Sequence, residues 1–338
     1  MMLDRTKRLL ISFVVLTFSL AVVACDKDGI TIEFESVDEN EAFGSSCFIA
    51  VFGDIQYYTM TAQSTMLYLH SLAWIQARAN EGWQFNCILH TGDITQNNIV
   101  NQWDYFRQAT APVAERIPYV SMIGDHDYTW EGQFITSRES TRFNDYVQFS
   151  NVKSKIVASF ENGRFENIVV ENSVYGQRLD LLVLEFGPRP EVVEWANEWV
   201  SSHPDINYIL MNHEYLEKGG GRRTTGLKCA ARLRNCTTFV TPDELWDNLI
   251  KCNDNIRLVL CGHVGGLYAI TVDTNDFGRE IPQIQHNIQS EEYRYDNWLM
   301  LWEFPAQEDS ASIFIFNTRT GKYFNNQRCL SKFKYRDS

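Results

Sequence analysis

Five stretches of the 338-residue chain each end an apolar run in a polar cluster containing Asp or His. They are Asp54-Ile55-Gln56, His90-Thr91-Gly92-Asp93, Gly124-Asp125-His126-Asp127, Asn212-His213 and Gly262-His263. Carboxylate oxygen and imidazole nitrogen together make a donor set for Mn, Fe, Zn or Mg. Cys261 is the one cysteine at these clusters, and its side chain should face away from its strand neighbours. A thiolate zinc site is therefore not supported. Taken singly, each residue has a plainer reading: Gly-Asp is common at turns, and a lone His is more often a hydrogen-bonded structural residue. Independent turns have no reason to end in complementary ligands, so the joint pattern favours a cation site.

For the clusters to meet, the elements before them must run the same way. The preceding apolar runs, Cys47–Phe52, 85–89, 118–123, Asn207–Met211 and Ile256–Cys261, have strand length. Helix-like segments lie between several of them. The segment 61–80 carries apolar Met66, Leu69, Leu72, Ala73 and Ile75, and Pro190–Ser202 carries Val193, Ala196, Trp199 and Val200. Thr241-Pro242-Asp243-Glu244 reads as a capping box opening a helix to about Cys252. This alternation predicts an α/β fold with largely parallel central strands, in which ligands gather beyond the carboxyl ends of the strands.

In order and spacing, the clusters resemble the signature of the calcineurin-like metallophosphoesterases, D-x-H, G-D, G-N-H-D or G-N-H-E, H, and G-H-x-H, over residues 46 to about 265. The resemblance implies that family's α/β fold, two mixed β-sheets sandwiched between α-helices, with further strands at 179–186, 268–272, Trp298–Phe304 and 312–316. It implies one or two divalent ions and hydrolysis of a phosphate mono- or diester by a metal-bound hydroxide. Cations suit that reaction because they neutralise the phosphoryl oxygens and lower the pKa of bound water. By the resemblance, a first metal site draws on Asp54, position 56, the bridging Asp93 and position 265. A second draws on Asp93, Asp125, His213 and His263. His126 is assigned to the leaving-group side as proton donor, with Asp127 orienting it and favouring its protonated form.

The departures fall mainly on the first site. Position 56 is Gln56 and position 265 is Gly265, so both imidazoles are gone, while Asp125 replaces the usual Asn of the second site. Three states stay open for the first site: a hard ion held through oxygen and water, a metal bound only with substrate, or no metal. His286 and Gln289 are candidates to compensate. The eroded site favours a runner-up, a noncatalytic metal- or ligand-binding protein on the same scaffold, whereas His126 and Asp127 favour the enzyme. A purple-acid-type phosphatase is disfavoured, because the tyrosine expected three residues after the bridging Asp is Gln96.

With 44% apolar and 22% charged residues, the chain can build a sizeable core. Its net charge of −13 repels a nucleic-acid backbone, so no nucleic-acid partner is expected; a small anionic phosphoester partner is what the resemblance implies. Residues 1–24 have the layout of an export signal, with Arg5, Lys7 and Arg8 before an apolar run of about 15 residues, short of the roughly 20 a spanning helix needs. Val22-Val23-Ala24-Cys25 resembles a bacterial lipobox, which implies a lipid-bearing Cys25 anchored to the cell envelope. The alternatives are an ordinary cleaved signal and an uncleaved anchor. Residues 25–45 then form an acidic tether with a short strand near 30–34, and 46–338 the metallophosphoesterase domain. Cys47, Cys87 and Cys261 read as core; Cys229 and Cys236 read as a local bridge, with Cys252 and Cys329 as competing partners. The basic stretch 218–234 reads as a solvated loop or as a lid attracting an anion. Asn287, Gln289, Tyr293 and Arg294 are candidate substrate contacts.

Overall fold

The computed structural model describes residues 22–26, 29–33, 46–223, 233–234 and 238–337. Residues 1–21 of the expected export signal, Cys229 and Cys236 lie outside the described residues. Val22–Asp26 pairs antiparallel with Gly29–Glu33, so the expected boundary after Ala24 falls inside the first strand of this hairpin. Among the described residues no helix is long and apolar enough to cross a membrane.

Two mixed sheets build the body. The seven-stranded sheet runs Lys322–Tyr323, Ser310–Asn317, Trp298–Phe304, Cys47–Phe52, Gln84–His90 and Tyr119–Ser121, with Ser331–Lys334 also on Ser310–Asn317. The eight-stranded sheet runs Tyr268–Thr274, Glu280–His286, Ile256–Cys261, Asn207–Met211, Gln177–Val183, Ile168–Val170 and Ile156–Ser159, with Ser173–Val174 on Gln177–Val183. Cys47–Phe52, Gln84–His90 and the edge strand Tyr119–Ser121 are parallel in the first sheet, as are Gln177–Val183, Asn207–Met211, Ile256–Cys261 and Glu280–His286 in the second, and the remaining pairings are antiparallel.

Strand alternation sorts the side chains into two layers. Leu181, Val183, Ile209, Met211, Leu258 and Leu260 share a buried cluster with Ile49 and Val51, which lie on the face of their strand opposite Phe52 and its helix neighbour Tyr68. Their neighbours Leu182, Leu210, Val259 and Cys261 face outward, against Val193, Ala196 and Val200 of the helix Pro190–Ser202 and Leu245 and Leu249 of the segment after Thr241. Among the described residues Cys47, Cys87 and Cys261 are buried thiols with no disulfide partner, as expected, and Cys252 and Cys329 are exposed with none.

The helix Ala62–Asn80 is closed by a capping box, in which Thr61 Oγ1 accepts from Ser64 N and Ser64 Oγ accepts from Thr61 N, each at 3.1 Å. Its buried face differs from the expected stripe. Thr65, Tyr68, Ser71, Leu72 and Ile75 turn inward, while Met66 is 37% exposed. Hydroxyls can occupy that face because they are satisfied there: Thr65 Oγ1 donates to Thr61 O at 2.8 Å, and Ser71 Oγ lies 3.1 Å from Thr318 Oγ1.

The carboxy-terminal segment ties the sheets together. Ser331–Lys334 pairs on the first sheet, Asn207 Nδ2 donates to Tyr335 O at 3.0 Å, and Asp337 holds Arg257 at 2.7 Å and Arg279 at 3.0 Å. Asn207 and Arg257 lie at the starts of parallel strands, at the edge opposite the polar clusters.

Candidate metal centre

The clusters converge where the parallel strands end. Asp93 and Asp125 follow strands of the seven-stranded sheet, and His213 and His263 follow strands of the eight-stranded one. Ligand atoms of these four residues all lie within 4.8 Å of one another. His213 Nδ1 donates to Thr91 O at 2.6 Å, which turns Nε2 toward Asp93 Oδ1 at 3.3 Å and Asp125 Oδ1 at 3.4 Å. His263 Nδ1 stands 3.0 Å from Asp125 Oδ1. Among the described residues, buried His213 Nε2 has the Asp93 and Asp125 oxygens as its close polar neighbours and no well-formed hydrogen bond, which leaves it able to face a cation. Two carboxylates and two imidazoles, nearly all buried, therefore fit a divalent ion.

The electrostatics agree. Burial alone would push His213 down, yet Asp93 and Asp125 hold its imidazole well above the ordinary value. Burial would raise Asp125, but His263 and His213 hold it well below the usual carboxylate range. An anionic pocket draws positive charge in this way. The backbone is also forced: Asp93 has φ +53° and His263 φ +75°, the left-handed region that non-glycine residues rarely adopt. Close approach explains the neighbouring glycines. A Cβ on Gly124 would stand 2.2 Å from Asp93 Oδ1, and one on Gly262 would stand 2.3 Å from Asp54 Oδ1.

Asp54 and Gln56 are brought to the same place but are bonded otherwise than a ligand pair. Asp54 Oδ1 accepts from Thr91 Oγ1 at 2.8 Å. Its Oδ2 accepts from His263 N at 2.8 Å, Asn287 Nδ2 at 2.9 Å and Gln289 Nε2 at 3.2 Å. Burial pushes its carboxyl up to about 7, with His213 opposing. Gln56 donates to Asp93 and Gln289. Of the two candidate compensators, Gln289 joins this network, whereas His286 is buried and bonded through Nδ1 to Leu267 O at 3.0 Å.

His126 faces a cleft of about 540 Å³ that is also lined by Asp93, Asp125, His263 and Gln289. Its Nδ1 lies 3.0 Å from Gln96 O, so a backbone carbonyl orients the ring rather than Asp127. Asp127 instead accepts from Thr95 N at 2.8 Å, Gly124 N at 3.0 Å and Ile94 N at 3.2 Å, clamping two site loops together. Burial would lower His126, but Asp93 and Asp125 outweigh it and raise its pKa. Trp130 lies beside it, ring centroids 6.2 Å apart, and donates from Nε1 to Asp125 O.

The basic stretch is partly tied down. Arg222 pairs with Asp243 and Asp273, and Arg223 with Glu214 at 2.7 Å. Glu214, which sequence reasoning misses, is buried with Oε1 3.7 Å from His263 Nε2. Its position directly after His213 is the signal that could have found it.

The sequence profile described as Calcineurin-like phosphoesterase matches residues 49–266. The chain belongs to this family. Calcineurin-like phosphoesterases share the two-sheet architecture seen here, and the profile spans all five polar clusters. A relative in Bacillus subtilis (strain 168), "Uncharacterized protein YvnB", is 22% identical over 278 residues, covering 78% of this chain and 19% of its own length. The "Probable inactive purple acid phosphatase 27" of Arabidopsis thaliana is 36% identical over 56 residues, 16% of this chain and 9% of that protein. The chain thus spans a fifth or less of these relatives' lengths. Among solved structures, a 5'-nucleotidase from Candida albicans SC5314 aligns with a TM-score of 0.41 at 12% identity, over 81% of this chain and 52% of that one. The sulfate thiohydrolase SoxB of Termus thermophilus aligns with a TM-score of 0.40 at 11% identity, over 81% and 57%.

Proposed function

We propose that this calcineurin-like phosphoesterase hydrolyses a phosphate ester with a divalent cation held by Asp93, Asp125, His213 and His263. The observation that carries the reading is the convergence of these four residues, three of which line one open cleft beside His126 with His213 buried behind them. When bound there, the cation supplies Lewis acidity toward a phosphoryl oxygen. The protein's own residues do the rest. Gln96 O fixes His126 through Nδ1, leaving Nε2 to carry the proton given to the leaving alcohol. A histidine there can give up a proton near neutral pH, as a general acid must. Asp127 holds the backbone around Gly124 and Thr95 so that the ring stays in place.

The test is hydrolysis of aryl phosphate mono- and diesters with Mn, Fe, Zn or Mg, beside a His126→Ala variant. We expect kcat to fall by about 10²–10⁴ in the variant with metal content unchanged. Absence of turnover by the wild type under every metal would support the second reading, a noncatalytic binding protein, which the bonded state of Asp54 and Gln56 favours. For location, Val22-Val23-Ala24-Cys25 supports an envelope-anchored lipoprotein. Labelled palmitate should be incorporated by the wild type and not by Cys25→Ser, and an unlabelled wild type would refute the anchor.

A further inference from the structure

The two sites differ in donor chemistry: the second keeps two carboxylates and two imidazoles, whereas the first has lost both imidazoles and turns an amide nitrogen toward the shared carboxylate Asp93. Gln56 Nε2 points its two hydrogens at Asp93 Oδ2, 3.3 Å away, and Gln289 Oε1, 2.6 Å away. Gln289 Nε2 donates in turn to His263 O at 2.6 Å and Asp54 Oδ2 at 3.2 Å. Asp54 accepts four hydrogen bonds, three at Oδ2 from His263 N, Asn287 and Gln289 and one at Oδ1 from Thr91. Exchanging O and N of Gln56 would set its oxygen against Asp93 Oδ2 and Gln289 Oε1, so the network fixes the amide's direction. Gln56 Oε1 is left without a partner. All of Asp54, Gln56, Asp93 and Asn287 are buried.

A metal-ligating imidazole and an amide are both neutral, so the substitution alters the charge of the cleft only through the ions it admits: with one divalent ion instead of two, there are two fewer positive charges beside the buried carboxylates Asp54, Asp93, Asp125, Asp127 and Glu214. Among the described residues lining the cleft, none is Lys or Arg; Gln96, Asn97, Thr129 and Gln133 supply neutral polar groups. A doubly charged ligand meets about twice the repulsion of a singly charged one from the same fixed charges.

We propose that the Gln56–Gln289 amide pair stands in for the first cation, so that the chain loads one divalent ion and its cleft takes a singly charged phosphodiester in preference to a dianionic monoester. The proposal rests on the phosphoesterase reading above and names its substrate class.

Two binding measurements test it without turnover. Elemental analysis after dialysis against excess Mn should find one ion per chain, with no exchange-coupled Mn pair by electron paramagnetic resonance. A Gln56→His/Gly265→His variant should load two. Position 265 can accept the ring, because a Cβ there meets nothing within 4 Å. Calorimetry on the Mn-loaded wild type at about pH 8.5 should show the monoanionic monomethyl ester of phenylphosphonic acid binding at least about fivefold tighter than dianionic phenylphosphonate, with the preference lost in the double variant. Two ions in the wild type, or equal or tighter binding of the dianion, overturns the proposal. Should the double variant not fold, the wild-type ion count and the phosphonate ratio still decide. Failure to hydrolyse any ester would sink the phosphoesterase reading alone, since neither measurement depends on catalysis.

Discussion

At the scale of single residues, the site depends on backbone approaching side chain more closely than a methyl group allows. Gly262 is the sharpest case, since a Cβ there would stand 2.3 Å from Asp54 Oδ1 and 2.8 Å from Thr91 Oγ1. Gly262→Ala must push Asp54 off its donors and shift His263, the next residue. We expect it to weaken Mn affinity by at least about tenfold, or 1.4 kcal/mol, by calorimetry; unchanged affinity would show that the loop yields freely. Residue types are readable in the amino-acid sequence itself: Asp93, Asp125, His213 and His263 follow from ordered clusters at strand ends. Roles set by direction are not. Asp127 sits beside His126 in the chain, and adjacency suggests an orienter, but its carboxylate turns to the amides of Ile94, Thr95 and Gly124. Which way a side chain leaves a tight turn is a property of φ and ψ that residue type does not reveal.

At the scale of elements, strands with alternating or continuous apolar character are legible nearly to the residue, as Cys47–Phe52, Asn207–Met211, Ile256–Cys261 and Trp298–Phe304 show. Glu280–His286 is not, because its buried positions include Gln283, Gln285 and His286. Gln283 is accommodated by hydrogen bonds to Arg222 and Asp273. The helix Val100–Ala114 is hidden by the lack of a capping side chain and by Pro112 in its last turn, although Trp103, Phe106 and Val113 mark its buried face. His286 gives this scale its prediction. Burial lowers its pKa from 6.5 to about 4, so between those values the unfolded chain binds a proton that the folded one excludes. Stability from this group is complete above pH 6.5 and declines as pH falls toward 4. His286→Asn keeps a donor for Leu267 O and removes the titration. Relative to the variant, the wild type should lose up to about 3 kcal/mol over that window, measured by urea unfolding at several pH values; parallel curves would refute it.

At the scale of the whole molecule, the α/β class and the ordering of the site are legible, because five clusters in sequence order require strands that all deliver to one edge. The split of ligands between two sheets is not, since sheet membership depends on pairings far apart in sequence, such as Trp298–Phe304 beside Cys47–Phe52. That split has an energetic consequence. With Asp93 and Asp125 on one sheet and His213 and His263 on the other, a bound cation fastens the sheets, and binding only the folded state adds about 4 kcal/mol at a thousandfold excess over Kd. Chelation should lower the melting temperature by on the order of 10 °C in scanning calorimetry. An identical melting curve with and without chelator would mean that no cation is held.

The carboxy-terminal segment grips the same sandwich at its other edge, through Asn207, Arg257 and Arg279. That grip is written into the polypeptide, whereas its counterpart arrives from solution. Even before any ion arrives, the site margin is pinned by hydrogen bonds from His213 to Thr91 and from His263 and Asn287 to Asp54, so cation supply sets how firmly the site edge is bolted rather than whether the body closes.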